Sequence, residues 1–118
     1  MWYNGIVRKS IRMGVGMIKW ADNMYFSDGI HKNKRKKIMK SIENGALKFE
    51  VYCITFAMNT NNLFDIINVN ELLFPYYQRK EIYIIGLANS REEAKELAAD
   101  MLVELYNKTG DFKVREYF

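Results

Sequence analysis

Apolar residues recur along this chain in helical and extended rhythms, and the rhythms divide it into elements. Tyr3, Val7, Ile11, Val15 and Ile18 are spaced by four, four, four and three, which predicts a helix over residues 3–20 flanked by Arg8, Lys9 and Arg12. Gly5, Gly14 and Gly16 weaken that helix by about 1 kcal/mol each relative to Ala, so extended backbone from Val15 onward is the alternative. After the Met24-Tyr25-Phe26 run, Ser27 or Asp28 offers a capping oxygen to a second helix over 30–44. Ile30, Ile38, Met39 and Ile42 give it an apolar stripe, and Asn44-Gly45 ends it.

From Phe49 to Met58 the chain is almost continuously apolar and rich in β-branched and aromatic residues, which predicts a strand covered on both faces. Asn59 to Asn62 make a polar break. Leu63 to Phe74 reads as a helix that stops at Pro75, and Glu81 to Ala88 reads as a second central strand. The last helix is the best specified. Ser90 and Glu93 have the spacing of a capping box, Ala94, Leu97, Ala98, Met101, Leu102 and Leu105 form its core stripe, and Gly110 terminates it. Phe112 to Phe118 alternates apolar and polar, the pattern of an edge strand.

This order predicts an α/β fold: two N-terminal helices, then β-α-β-α-β, with a three-stranded, mostly parallel sheet in a small two- or three-layer domain. The fallback is an α+β sheet with one antiparallel strand at Met24 to Phe26. All 118 residues form a single domain, a basic helical segment over 1–45 and a β-α-β-α-β core over 46–118. With 49% hydrophobic and 27% charged residues the chain is outside the disordered class. The most apolar N-terminal stretch, Ile11 to Trp20, is interrupted by Arg12 and Lys19, which argues against a transmembrane segment or signal peptide and for a cytoplasmic protein.

Charge changes the picture more than composition does. Residues 1–40 carry ten basic and two acidic side chains and residues 41–118 carry eight and twelve, so the halves are +8 and −4. Lys32, Lys34, Arg35, Lys36, Lys37 and Lys40 place six cations in nine residues with no acid among them. Such a run is either a solvated or internally paired helix face or a footprint for phosphate. Trp2, Tyr3, Trp20, Tyr25 and Phe26 interleave the basic half, which suits stacking on nucleic acid. A peripheral membrane contact anchored by Trp2 and Tyr3 fits less well.

Candidate chemistry is sparse. The one cysteine, Cys53, lies mid-strand in an apolar run, and the one histidine, His31, lies at the start of the basic helix. Neither combines with other residues into a zinc spacing or a nucleophile–base pair, and no phosphate-binding glycine motif follows a strand, so no metal or cofactor is expected. If the two central strands run parallel, the loops after both meet on one edge. Asn59, Thr60, Asn61 and Asp65 would then join Asn89 and Ser90 as a ligand site for a neutral or cationic molecule. Helix capping is the simpler explanation of the same residues. The sequence therefore predicts a non-catalytic binding or regulatory module that self-associates, with a homodimer as the default because a short sheet leaves open edges. The alternatives are a nucleic-acid-binding protein using the helix at 30–44, and a small-molecule binder or enzyme at the strand ends.

Overall fold

The computed structural model describes residues 17–45, 50–59 and 61–118. Its centre is a four-stranded mixed sheet. The strands are β1 (Met17–Phe26), β2 (Tyr52–Phe56), β3 (Phe64–Asn68) and β4 (Glu81–Ala88), in the order β1-β4-β2-β3. β1 runs parallel to β4, whereas β2 is antiparallel to both β4 and β3. The helices are α1 (Arg35–Asn44), preceded by a 3₁₀ turn at Lys32–Lys34, a short α2 (Pro75–Gln78) after a 3₁₀ turn at Val69–Leu73, α3 (Arg91–Thr109) and a terminal α4 (Val114–Tyr117).

This is an α+β arrangement, and it overturns the expected α/β fold of two N-terminal helices and a three-stranded parallel sheet. Three segments carry the correction. Met17–Phe26 is a strand: Ile18 and Trp20 turn inward while Met17 and Lys19 stay exposed, a period of two. Ile18 had been the last member of a helical stripe whose others, Tyr3, Val7, Ile11 and Val15, lie outside the described residues. The α+β fallback, a sheet with one antiparallel strand, gives the right class, but that strand is Tyr52–Phe56, and the strand containing Met24 to Phe26 is parallel to its neighbour.

Phe64–Asn68 is the second correction. Its apolar spacing suits a helix, but Asn59 Oδ1 accepts from the amides of Asn61 at 2.9 Å and Asn62 at 3.2 Å. That side-chain turn closes a hairpin and pairs Phe56 with Phe64 and Tyr52 with Asn68. An Asn that caps a helix and an Asn that closes a turn use the same local bond, so the sequence did not distinguish them. The hairpin makes β2 antiparallel. The third correction is Phe112 to Phe118, expected as an edge strand. Asp111 Oδ1 accepts from the Lys113 amide at 3.1 Å, and the Phe118 amide donates to the Val114 carbonyl at 2.9 Å, closing a helical turn.

Both faces of the sheet are covered. On one, Ile18, Trp20, Cys53, Ile67, Ile82, Ile84 and Leu87 pack with Ile38 and Ile42 of α1 and with Val69 and Leu72. On the other, Ala21, Ile54 and Ile85 pack with Ala98 and Met101 of α3, joined by Tyr25, Phe56, Phe64 and Phe118. The switch from Ile84 to Leu87 on the same face follows from a bulge. Ile54 pairs with Gly86 but Thr55 with Ile84, so Ile85 is the extra residue. Opposite it, Ala21–Met24 bridges between the Trp20–Ile84 and Tyr25–Gly86 pairs. No helix among the described residues is long and apolar enough to cross a membrane.

Candidate functional site

α1 holds the basic run and is fastened from beneath. Ile38 and Ile42 are buried, each contributing about 1.5–3 kcal/mol. Glu43 Oε2 accepts from Trp20 Nε1 at 2.6 Å, tying the end of the helix to β1, and Gly45 leaves α1 in the left-handed conformation at φ 68°. With one face fixed, Lys32, Lys34, Lys36, Lys37 and Lys40 are all exposed. Arg35 differs from them: it is half-buried, its guanidinium lies 4.3 Å over the Phe26 ring, and its Nε has no hydrogen-bond partner.

The electrostatics of this end of α1 are unfavourable for the isolated helix. No acid occupies its first turn and no side chain caps it, so Lys32, Lys34, Lys36 and Lys37 crowd the positive end of the helix dipole. The expected cap is absent because Ser27 is buried, Asp28 belongs to the turn before Ile30, and the 3₁₀ turn begins from His31. None of the five exposed lysine side chains makes an ion pair or hydrogen bond among the described residues, where the ion pair found is Lys19–Glu81 at 3.3 Å. The undescribed residues 1–16, 46–49 and 60 contain no Asp or Glu, so they hold no acid to pair with these lysines.

The loops at the strand ends do not meet. Tyr52 pairs with Ala88, which puts the hairpin turn with Asn59, Asn61 and Asp65 at the opposite end of the sheet from Asn89 and Ser90. Thr60 lies outside the described residues. Asp65 Oδ2 accepts from the Met58 amide at 3.1 Å and holds the turn, while Ser90 Oγ accepts from the Glu93 amide at 3.1 Å and caps α3.

The structure groups Asn89 with residues that spacing alone did not connect to it. Gly29, His31, Lys34, Glu50 and Asn89 surround a cavity of about 330 Å³ floored by Ile30, Ile38 and Val51. Glu50 Oε2 accepts from the Tyr52 hydroxyl at 3.0 Å and from Asn68 Nδ2 at 3.3 Å, and the bond to Glu50 is the main cause holding the Tyr52 phenol above its ordinary range. Arg91 stands 5.0 Å over the Tyr52 ring. A pocket with an imidazole, an ammonium, an amide and a carboxylate at its rim suits a small polar molecule, and its position makes it continuous with the lysine face. Cys53 is fully buried in β2, and burial pushes its thiol up to about 12, a poor nucleophile at neutral pH. No cluster of three or more His, Cys, Asp or Glu among the described residues could hold a metal ion.

A second groove went unnoticed in the sequence. Asp28, Glu93, Glu96 and Asp100 converge between the end of β1 and α3. The spacing of Glu93, Glu96 and Asp100 on one helix face was visible, but only the fold brings Asp28 beside them. Comparison with protein-family models, with curated proteins and with solved structures finds no match for this chain, so its own residues are what speak for its function.

Proposed function

We propose that this protein is a small cytoplasmic binding module whose α1 face binds the phosphate backbone of nucleic acid. One observation carries the reading: five lysines are exposed and without an ion pair among the described residues, four of them at the positive end of a helix with no side-chain cap and no acid in its first turn. An arrangement that costs the isolated helix stability, yet is anchored firmly by Ile38, Ile42 and Glu43, is the kind of local conflict found where a partner completes the charge balance. Phosphate answers both features, since it pairs with ammonium groups and sits favourably at a helix N-terminus. A binding role also accords with a thiol buried in β2 and with strand-end polar groups already engaged in a turn and a cap.

The test is fluorescence anisotropy of labelled mixed-sequence oligonucleotides, single- and double-stranded, at about 50 and 200 mM salt. Five phosphate contacts give a log–log salt slope of about −4.5 on duplex, hence an affinity falling ~500-fold between the two conditions. Changing Lys32, Lys34, Lys36, Lys37 and Lys40 to Glu should abolish binding; Arg35 is spared because it packs on Phe26. Binding that survives the change, or no binding at 50 mM salt, overturns the reading.

A further inference from the structure

The groove between β1 and α3 has unsatisfied chemistry of the opposite sign. Its volume is about 290 Å³, its carboxylates are Asp28, Glu93, Glu96 and Asp100, and its apolar lining is Phe26 and Leu97. Glu93 accepts a bond from the Gly29 amide at 3.3 Å, and none of the four carboxylates is in an ion pair among the described residues. Ser27, which also lines the groove, is 7% exposed, and its Oγ has no hydrogen-bond partner. A buried hydroxyl without a partner is costly, and with carboxylates beside it the group that would relieve it is a cationic N–H donor. The ligating groups do not form a metal cluster, so an ammonium on a flexible stem suits the space better than an ion.

We propose that this groove receives the lysines of α1 from a second copy of the chain. The same molecule displays ammonium groups on α1 and carboxylates on α3 that make no ion pair with one another among the described residues. α1 packs through Ile38 and Ile42 on one face of the sheet, and α3 packs through Ala98 and Met101 on the other. A contact between molecules would bring the two together. Dimensions agree: Glu93 to Asp100 rises about 10.5 Å along α3, and Lys34 to Lys40 spans about 9 Å at the same helical rise. Because the two patches lie on opposite faces of the sheet, the contact runs head to tail, closing into a ring where the rotation between subunits allows and otherwise adding further copies. The inference needs only that the lysines are free, and it stands whether or not α1 binds nucleic acid.

Sedimentation of nucleic-acid-free protein at 50 and 500 mM salt tests it. Wild type should associate at low salt and dissociate at high salt. Glu96→Lys with Asp100→Lys should give a monomer, as should Lys36→Glu with Lys40→Glu. An equimolar mixture of the two variants should associate again, because each then offers what the other lacks. Circular dichroism confirms that both are folded, and the recovery on mixing excludes misfolding as the cause of dissociation. Ser27→Ala should weaken association about tenfold, the effect of one hydrogen bond to a charged donor, without lowering monomer stability. Wild type that stays monomeric at high micromolar concentration and 50 mM salt overturns the proposal, as does a mixture that stays monomeric. Binding of a linear triamine to a groove that never associates would reassign the site to a small amine. The readings separate cleanly, since Glu96→Lys with Asp100→Lys leaves the nucleic-acid face intact.

Discussion

Cys53 and Tyr25 show what burial does to single ionisable side chains here. The Cys53 thiol, with no exposed surface, is pushed from an ordinary 9.0 up to about 12 by desolvation. The Tyr25 phenol is raised well above its usual 10.0, first by desolvation and then by its 2.6 Å hydrogen bond to Glu104. Both groups are neutral when protonated and bind that proton more tightly in the folded state. Their contribution is therefore complete below the unfolded values, near pH 9 to 10, and is lost as pH rises through the folded ones. Alkaline titration followed by circular dichroism should show stability flat from pH 7 to about 9 and then falling, with a shallower fall in Tyr25→Phe. At pH 7 a thiol reagent should label Cys53 only as fast as the protein opens, at least 100-fold slower than in urea. Rapid native labelling would contradict the burial.

At the scale of elements, local signals decided some segments and misled in others. The Ser90 cap and the terminator at Gly110 were readable because both act within a few residues: Ser90 Oγ meets the Glu93 amide, and Gly110 sits at φ 77°, whereas the Glu93 carboxylate, expected to reach back to Ser90, takes the Gly29 amide. Ser90→Ala should cost about 1 kcal/mol in urea unfolding at unchanged m-value, and an unchanged midpoint would remove the cap from the account. The strand at Glu81–Ala88 and the end of α1 at Gly45 were legible for the same reason. Leu63 to Phe74 was not, because an apolar spacing of three and four suits a helix in isolation and loses to pairing with β2 when that partner is adjacent. The six cations were legible as a run. That five of them make no ion pair among the described residues, and that Arg35 instead lies over Phe26, was decided by the fold.

Over the whole molecule, the sheet separates charge. α1 packs with its lysines on one face and α3 with its carboxylates on the other. If nucleic acid and a second copy both engage α1, they compete for it. Saturating oligonucleotide at 50 mM salt should then convert the associated species into a complex containing one protein chain, seen as a shift in sedimentation. A complex that retains two chains would mean that separate surfaces are used.

By itself the sequence determined that a cationic helix ends at Gly45, that a strand lies at Glu81–Ala88, and that a capped α3 follows. These follow from composition and from bonds a few residues long. Only the tertiary structure decided the direction of β2, the strand made from Met17–Phe26, the separation of Asn59 from Asn89, and the meeting of Asp28 with Glu93, Glu96 and Asp100. Each depends on which distant segment supplies the partner, and hydrogen bonds between strands and charges gathered across a sheet leave little trace in local spacing.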